Sequence, residues 1–233
     1  MVTVKRHQSL DDQVALVTGA TRGIGEQISN QLVELGATVY AGAREQADIT
    51  AKEQRPIGLD VTVEETLARA IERIKAETGR LDILVNNAGI AGPRSPLHET
   101  ETRSIDETFG VNLRGPVVLT KLALPLLLER QGGRIVNVSS GMGALGEGMS
   151  GGYPAYRISK AGLNGLTTYL HGEYHDAGLL SNAACPGWVR TDLGSPEAPK
   201  SPEEGAETPV WLATFRPESA SGRFWRDRDV IAW

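Results

Sequence analysis

The chain predicts an α/β fold: a single doubly wound parallel sheet of about seven strands, with helices on both faces. Short apolar runs rich in β-branched residues alternate with stretches whose apolar residues recur at helical spacing. The first such run, Val14-Ala15-Leu16-Val17-Thr18, passes at once into a glycine-rich turn and a helix. The length, 233 residues, suits one domain spanning 1–233 better than two.

The turn is Gly19-Ala20-Thr21-Arg22-Gly23-Ile24-Gly25. Ile24, Ile28, Leu32 and Leu35 then share a helical face, and Gly36 caps its end. Residues 38–43 form a second strand and 57–60 a third. Only about a dozen residues join them, near the minimum for a parallel crossover, so the helix there should shrink to about a turn or two or be missing. Thr62-Val63-Glu64-Glu65 resembles a capping box, opening a helix through Leu67, Ala70, Ile71 and Ile74 toward Gly79. Residues 81–86 are a fourth strand. Residues 101–129 read as helical, with Pro116 and Pro125 expected to bend or split the run. A fifth strand (134–139), a helix (156–176) and a sixth strand (181–185) follow. Residues 203–214 form a short helix kinked or broken at Pro209, and 223–225 close the sheet as a seventh strand. Residues 190–202 are expected to form a short lid.

Strand, glycine turn and helix together suit a dinucleotide. Glycines let the backbone approach a pyrophosphate, and the helix N-terminus offers N–H groups and a positive dipole end. The spacing is Gly-x-x-x-Gly-x-Gly, and no Gly-Lys-Ser/Thr ending is present to suggest a P-loop. Tyr156 and Lys160 lie four residues apart, on one face of a helix. An ammonium held there favours the phenolate and lowers its pKa from about 10, making a proton donor and acceptor for alcohol–carbonyl chemistry. Tyr153 is the rival tyrosine. Pro154 follows it and Arg157 stands four residues on, so it should precede the helix and line a pocket.

With these motifs in order, the chain resembles the short-chain dehydrogenase/reductase family, and its tail Gly222-Arg223-Phe224-Trp225-Arg226-Asp227 looks, more loosely, like the ending of carbonyl-reductase-like members. Thr18-Gly19-Ala20-Thr21-Arg22-Gly23-Ile24-Gly25 looks like the cofactor turn, and Asn86-Asn87-Ala88-Gly89 like the Asn-Asn-Ala-Gly motif. Asn112, Ser140, Tyr156 and Lys160 match the catalytic positions, and Pro186-Gly187 the Pro-Gly after the sixth strand. The resemblance spans residues 14–192 and implies a Rossmann-type sheet. It further implies hydride transfer between a nicotinamide cofactor and a ketone, aldehyde or alcohol. Tyr156 would donate the proton, Ser140 would hold the carbonyl oxygen, and Lys160 would favour the phenolate and bind the nicotinamide ribose. Asn112 would help hold a water, and Thr191 would bind the ring carboxamide. Ser140 is preferred to Ser139 by its alignment with the motif. Gly19, Thr21, Arg22, Gly23, Ile24, Gly25, Arg44, Asp60, Val61, Asn87, Ala88, Gly89, Tyr156, Lys160, Pro186, Gly187, Val189 and Thr191 are the expected cofactor contacts.

NADP(H) is expected over NAD(H). The ribose-reading position at the end of the second strand carries Ala43 and Arg44 where an acid would repel a 2′-phosphate, and Arg22 sits in the turn itself. Asp60 reads either as an adenine contact or as a helix cap. The loop 141–152, mobile-looking and glycine-rich, carries Met142, Leu145 and Met149; with Tyr153 and Trp188 it suggests an apolar carbonyl substrate. The alternative to an enzyme is a non-catalytic NADP-binding scaffold or sensor on the same fold.

A net charge of −5 without a long basic run argues against nucleic acid. The one cysteine, Cys185, rules out an internal disulfide, suits the cytoplasm, and reads as a small buried residue. The first twelve residues lack a signal-peptide core, and the greasy stretch 116–128 is broken and too short to cross a bilayer. His98, His171 and His175 read as surface residues, with no metal site. A homodimer or homotetramer is expected by resemblance, with helices near 101–129 and 156–176 across a two-fold axis.

Overall fold

The computed structural model describes residues 2–233. Its eight-stranded sheet has the order β3-β2-β1-β4-β5-β6-β7-β8. β1 (Val14–Thr18), β2 (Thr38–Ala43), β3 (Arg55–Gly58), β4 (Ile83–Asn86), β5 (Arg134–Val138), β6 (Leu180–Cys185) and β7 (Arg223–Arg226) are parallel; β8 (Asp229–Ile231) returns antiparallel to β7. Strand order reverses between β1 and β4, so the crevice of a doubly wound sheet opens at their carboxyl ends.

β1 shows why the sheet has two faces. Its side chains alternate: Ala15 and Val17 join a cluster with Ile28, Leu32, Ala206 and Val210, while Val14 and Leu16 join Leu67, Ile71, Leu119 and Leu170 on the other side. Helices α1 (Gly23–Glu34) and α6 (Pro202–Ala213) therefore cover one face. On the opposite face lie α2 (Glu64–Thr78), α4 (Gly115–Leu127) and α5 (Pro154–Tyr174).

The crossover from β2 to β3 holds only a 3₁₀ turn, Gln46–Asp48, in place of a helix. β3 is the sheet's outer strand, with Pro56 opposite Ala41. It begins and ends two residues before the expected 57–60, because Arg55 and Pro56 pair with Tyr40 and Ala41 despite their low strand propensity.

Three local expectations are corrected. The sheet has eight strands, β8 being too short to leave a sequence pattern. The expected capping box at 62–65 is absent: Val63 is the N-cap, and the Thr62 hydroxyl donates to Asp60 Oδ1 at 2.7 Å. A real capping box opens α6, where Ser201 and Glu204 cap each other's backbone. The 101–129 run breaks upstream of its prolines, as α3 (Thr102–Phe109), a π-helical turn (Gly110–Arg114) and α4.

Pro116 has no N–H for the Asn112 carbonyl four residues back, and the wider turn immediately precedes it. Pro125 and Pro209 are carried inside helices, Pro125 on an exposed face where water can satisfy the carbonyl it orphans.

Candidate active site

The end of β1 and the end of β4 are stitched together by Thr18. Its hydroxyl accepts hydrogen bonds from the N–H groups of Asn87 and Ala88, both at 3.0 Å. The Asn87 amide returns the tie, donating to the carbonyls of Thr18 at 2.9 Å and Gly19 at 3.1 Å. A Cβ on Gly25 would stand 2.2 Å from the Gly19 carbonyl oxygen and 2.3 Å from the Asn87 amide nitrogen, so only glycine lets α1 start here. Gly19 and Gly23 take positive φ (64° and 59°), turning Ala20, Thr21 and Arg22 around the start of α1, with Ile24 packed below. The sequence reading missed Thr18 as an anchor, although it stands first in the motif.

The loop after β6 folds over this turn. Pro186 and Val189 are buried, Gly187 has φ 87°, and the Thr191 methyl lies 3.1 Å from where a Gly23 Cβ would be. Residues 190–201 are tied down by Arg190 N–H to the Lys200 carbonyl at 2.9 Å and by the Arg190 guanidinium to the carbonyls of Ala198 and Pro199.

Arg22 and Arg44, expected to converge, have different neighbours. Arg22 Nε lies 2.8 Å from Asp192 Oδ2, an exposed pair that bridges the turn and the β6 loop. Arg44 instead borders a cavity of about 320 Å³ between the β2–β3 rim of the sheet and α2, with Gln46, Asp60, Arg69 and Arg73 also on its wall. Burial pushes the Asp60 carboxyl up, but hydrogen bonds from Thr62 and the charge of Arg44 outweigh this and hold it below its ordinary value. Val61 is buried beside it, its carbonyl 2.7 Å from where a Gly115 Cβ would stand.

Across the crevice, Asn112, Ser140, Tyr156 and Lys160 come together. Ser139 points away: it is buried and donates to Asn164 Oδ1 at 2.6 Å, leaving Ser140, half-buried, toward Tyr156. Asn112 is fully buried, with its side chain committed on both sides: Oδ1 accepts from Ile90 N–H at 2.9 Å, and Nδ2 donates to the Ile90 carbonyl and to Ser159 Oγ. Ser159 in turn donates to the Tyr156 carbonyl at 2.7 Å, a link that no sequence motif announced. Lys160 Nζ donates to the Val138 carbonyl at 2.7 Å. Asn112 Oδ1 and Lys160 Nζ both flank the bare Gly89, at 3.4 and 3.6 Å from an imagined Cβ.

The lysine does not lower the phenol's pKa in this structure. Burial pushes Tyr156 up to about 12, a hydrogen-bonding contact with Ser140 opposing it, and burial pushes Lys160 down to about 8. Desolvation outweighs the expected ammonium–phenolate attraction because the ammonium bonds to Val138 and not to the hydroxyl. Tyr153 precedes α5 as its N-cap, in a left-handed conformation with φ 55°. Exposed Ile90, Leu145, Met149 and Trp188 give the surrounding loops apolar surface.

His171 and His175 are half-buried, not surface residues, their rings 4.7 Å apart on the inner side of α5 near Gly222. Among the described residues no cluster of three or more metal-ligating side chains exists, and no helix is long and apolar enough to cross a membrane.

A glycine turn at the switch point of a parallel sheet, facing a buried lysine, defines a dinucleotide-dependent oxidoreductase. The chain belongs to the short chain dehydrogenase family, whose model matches residues 13–201. A cis-4-hydroxycyclohexanecarboxylate dehydrogenase of Sinomonas cyclohexanicum is 39% identical over 194 residues, covering 80% of this chain and 77% of that protein. An NADPH carbonyl reductase of Mus musculus is 34% identical, covering 94% of this chain and 98% of its own length. Among solved structures, a short chain dehydrogenase from Burkholderia cenocepacia J2315 in complex with NADP superposes with a TM-score of 0.83 at 29% identity, covering 93% of this chain and 96% of that one.

Proposed function

We propose that this chain is an NADP-dependent reductase of ketones or aldehydes, working through Asn112, Ser140, Tyr156 and Lys160. The observation that carries the reading is the convergence of these four side chains across the crevice from the glycine turn. Gly89 leaves Lys160 and Asn112 facing an unobstructed spot, and the one hydrogen bond of the Lys160 ammonium among the described residues leaves two of its three N–H donors for ribose hydroxyls. These features fit a nicotinamide nucleotide, which when bound supplies or accepts the hydride.

Tyr156 donates a proton from Oη to the carbonyl oxygen. A phenol held near 12 is fully protonated at neutral pH, the state that reduction needs. Ser140 Oγ hydrogen-bonds the same oxygen and aligns it. The Asn112 carbonyl, deprived by Pro116 of a donor four residues on, holds a water that relays protons through Lys160. Thr191 holds the carboxamide end of the nucleotide. Arg44, with Arg22, reads the 2′-phosphate, and Asp60 contacts the adenine. Ile90, Leu145, Met149, Tyr153 and Trp188 receive an apolar substrate, with 190–202 as a short lid.

The test is oxidation of NADPH, followed by its absorbance, with a panel of ketones, aldehydes and quinones. Turnover of at least one supports the reading. Tight NADPH binding without turnover of any would make the chain a non-catalytic NADP-binding scaffold or sensor.

A further inference from the structure

The loop after Ser140 and the carboxyl-terminal hairpin meet at a thiol that the proposed chemistry does not use. Cys185 ends β6 and is buried. Its Sγ accepts a hydrogen bond from the Gly141 N–H at 3.3 Å and a second from Arg226 Nε at 3.4 Å. Arg226 ends β7, and its Nη2 reaches both carboxylate oxygens of Glu147, at 3.4 and 3.3 Å. A Cβ at position 141 would stand 2.3 Å from Nη2, so glycine there leaves the guanidinium its path beneath the loop. A further tie comes from the chain's last residue: the Gly146 N–H donates to the Trp233 carbonyl at 2.6 Å. The Trp233 ring stacks on Phe224 of β7, with centroids 5.6 Å apart. The residue directly after Ser140 and the middle of its loop are therefore both fastened to β7–β8 and the tail that follows.

We propose that Arg226 is a positioning residue: through Cys185 and Glu147 it fixes Gly141, and with it the Ser140 hydroxyl opposite Tyr156. This rests on the reading of Ser140 and Tyr156 given above. The ion pair is partly exposed and by itself contributes little stability. Its effect is geometric, because a glycine-rich loop samples many conformations and a displacement of about 1 Å at a reacting group costs on the order of a hundredfold in rate.

The experiment compares Arg226→Ala, Arg226→Lys, Glu147→Gln, the double variant Arg226→Ala/Glu147→Gln, and Ser140→Ala. For each, kcat and KM are measured with a ketone that the parent reduces, the NADPH Kd by fluorescence, and the fold by circular dichroism. Arg226→Ala should lower kcat by about tenfold or more while NADPH Kd stays within about twofold. Glu147→Gln should lower kcat by less, the double variant should fall no further than Arg226→Ala, and Arg226→Lys should recover part of the loss. Parental kcat in Arg226→Ala overturns the proposal, as does a loss matched by equal weakening of NADPH. If Arg226→Ala does not fold, the exposed Glu147→Gln decides on the same readouts. Full turnover in Ser140→Ala would remove the underlying reading; an inactive Ser140→Ala beside a fully active Arg226→Ala removes only the positioning role.

Discussion

The Lys160 ammonium lies 5.6 Å from the centre of the Tyr156 ring but hydrogen-bonds away from it, to the Val138 carbonyl at the end of β5. Burial then moves the two groups in opposite directions, the ammonium down to about 8 and the phenol up to about 12. Both shifts favour the neutral form, so burial opposes the charge that the proposed role of Lys160 in cofactor binding calls for.

That conflict has a measurable pH signature. Between about 8 and the ordinary lysine value of 10.5, the unfolded chain holds a proton at Lys160 that the folded chain has released, so this residue makes stability rise with pH. Between 10.0 and about 12, Tyr156 is protonated only when folded, and its contribution falls. Lys160→Met should abolish the first rise, with turnover lost. Urea unfolding across this range checks it, and a variant whose stability climbs between pH about 8 and 10.5 as steeply as the parent's contradicts it. The parent's kcat/KM for reduction should decline above pH about 8 as the ammonium is lost.

Tyr156→Phe removes the proposed proton donor and leaves the ring in place. Turnover should fall by about a thousandfold or more, with NADPH Kd nearly unchanged. Tyr153→Phe should keep kcat and alter only KM for the carbonyl substrate. The opposite pattern would move the donor role to Tyr153.

Arg44 should carry most of any preference for NADPH, since Arg22 is engaged by Asp192. Arg44→Ala should weaken 2′,5′-ADP by about tenfold or more while leaving 5′-AMP within about twofold, measured by calorimetry. Arg22→Ala should have a smaller effect of the same sign, and Asp192→Asn should tighten 2′,5′-ADP by freeing Arg22. Equal losses for both nucleotides would show that no phosphate is read there.

Val117 on α4 and Ile158 and Tyr169 on α5 are exposed at 41, 45 and 58%. Such apolar side chains on two long helices suit a two-fold interface between copies of this chain. Light scattering should give a dimer or tetramer, reduced to monomer by Ile158→Asp together with Tyr169→Glu. A monomeric parent rejects this.

Most of the sheet was legible because β1, β2 and β4 to β6 are buried on both faces and read as apolar runs between glycines and charged helices. Tyr156 and Lys160 could be placed together by helical spacing, whereas Ser140, across the long loop between β5 and α5, was placed by the family resemblance. What escaped the sequence was decided by which partner each polar group takes. Asp60 took the Thr62 hydroxyl that a capping box would have used. Asp192, about 170 residues from Arg22, claimed a guanidinium expected elsewhere. The phenol's pKa depended on where the Lys160 donors point, which no i to i+4 rule specifies.

The rim of the sheet at β3 also bears on how copies of the protein behave when crowded. As the last strand of the order, β3 would offer its outer backbone to any passing extended chain. Pro56 has no amide hydrogen to give, and its carbonyl oxygen already accepts from the Arg73 guanidinium at 2.9 Å. Neighbouring Arg55 adds charge, and the strand is four residues long. The rim is thereby blunted against edge-to-edge growth and aggregation, a protection that Pro56→Val with Arg73→Ala would strip away.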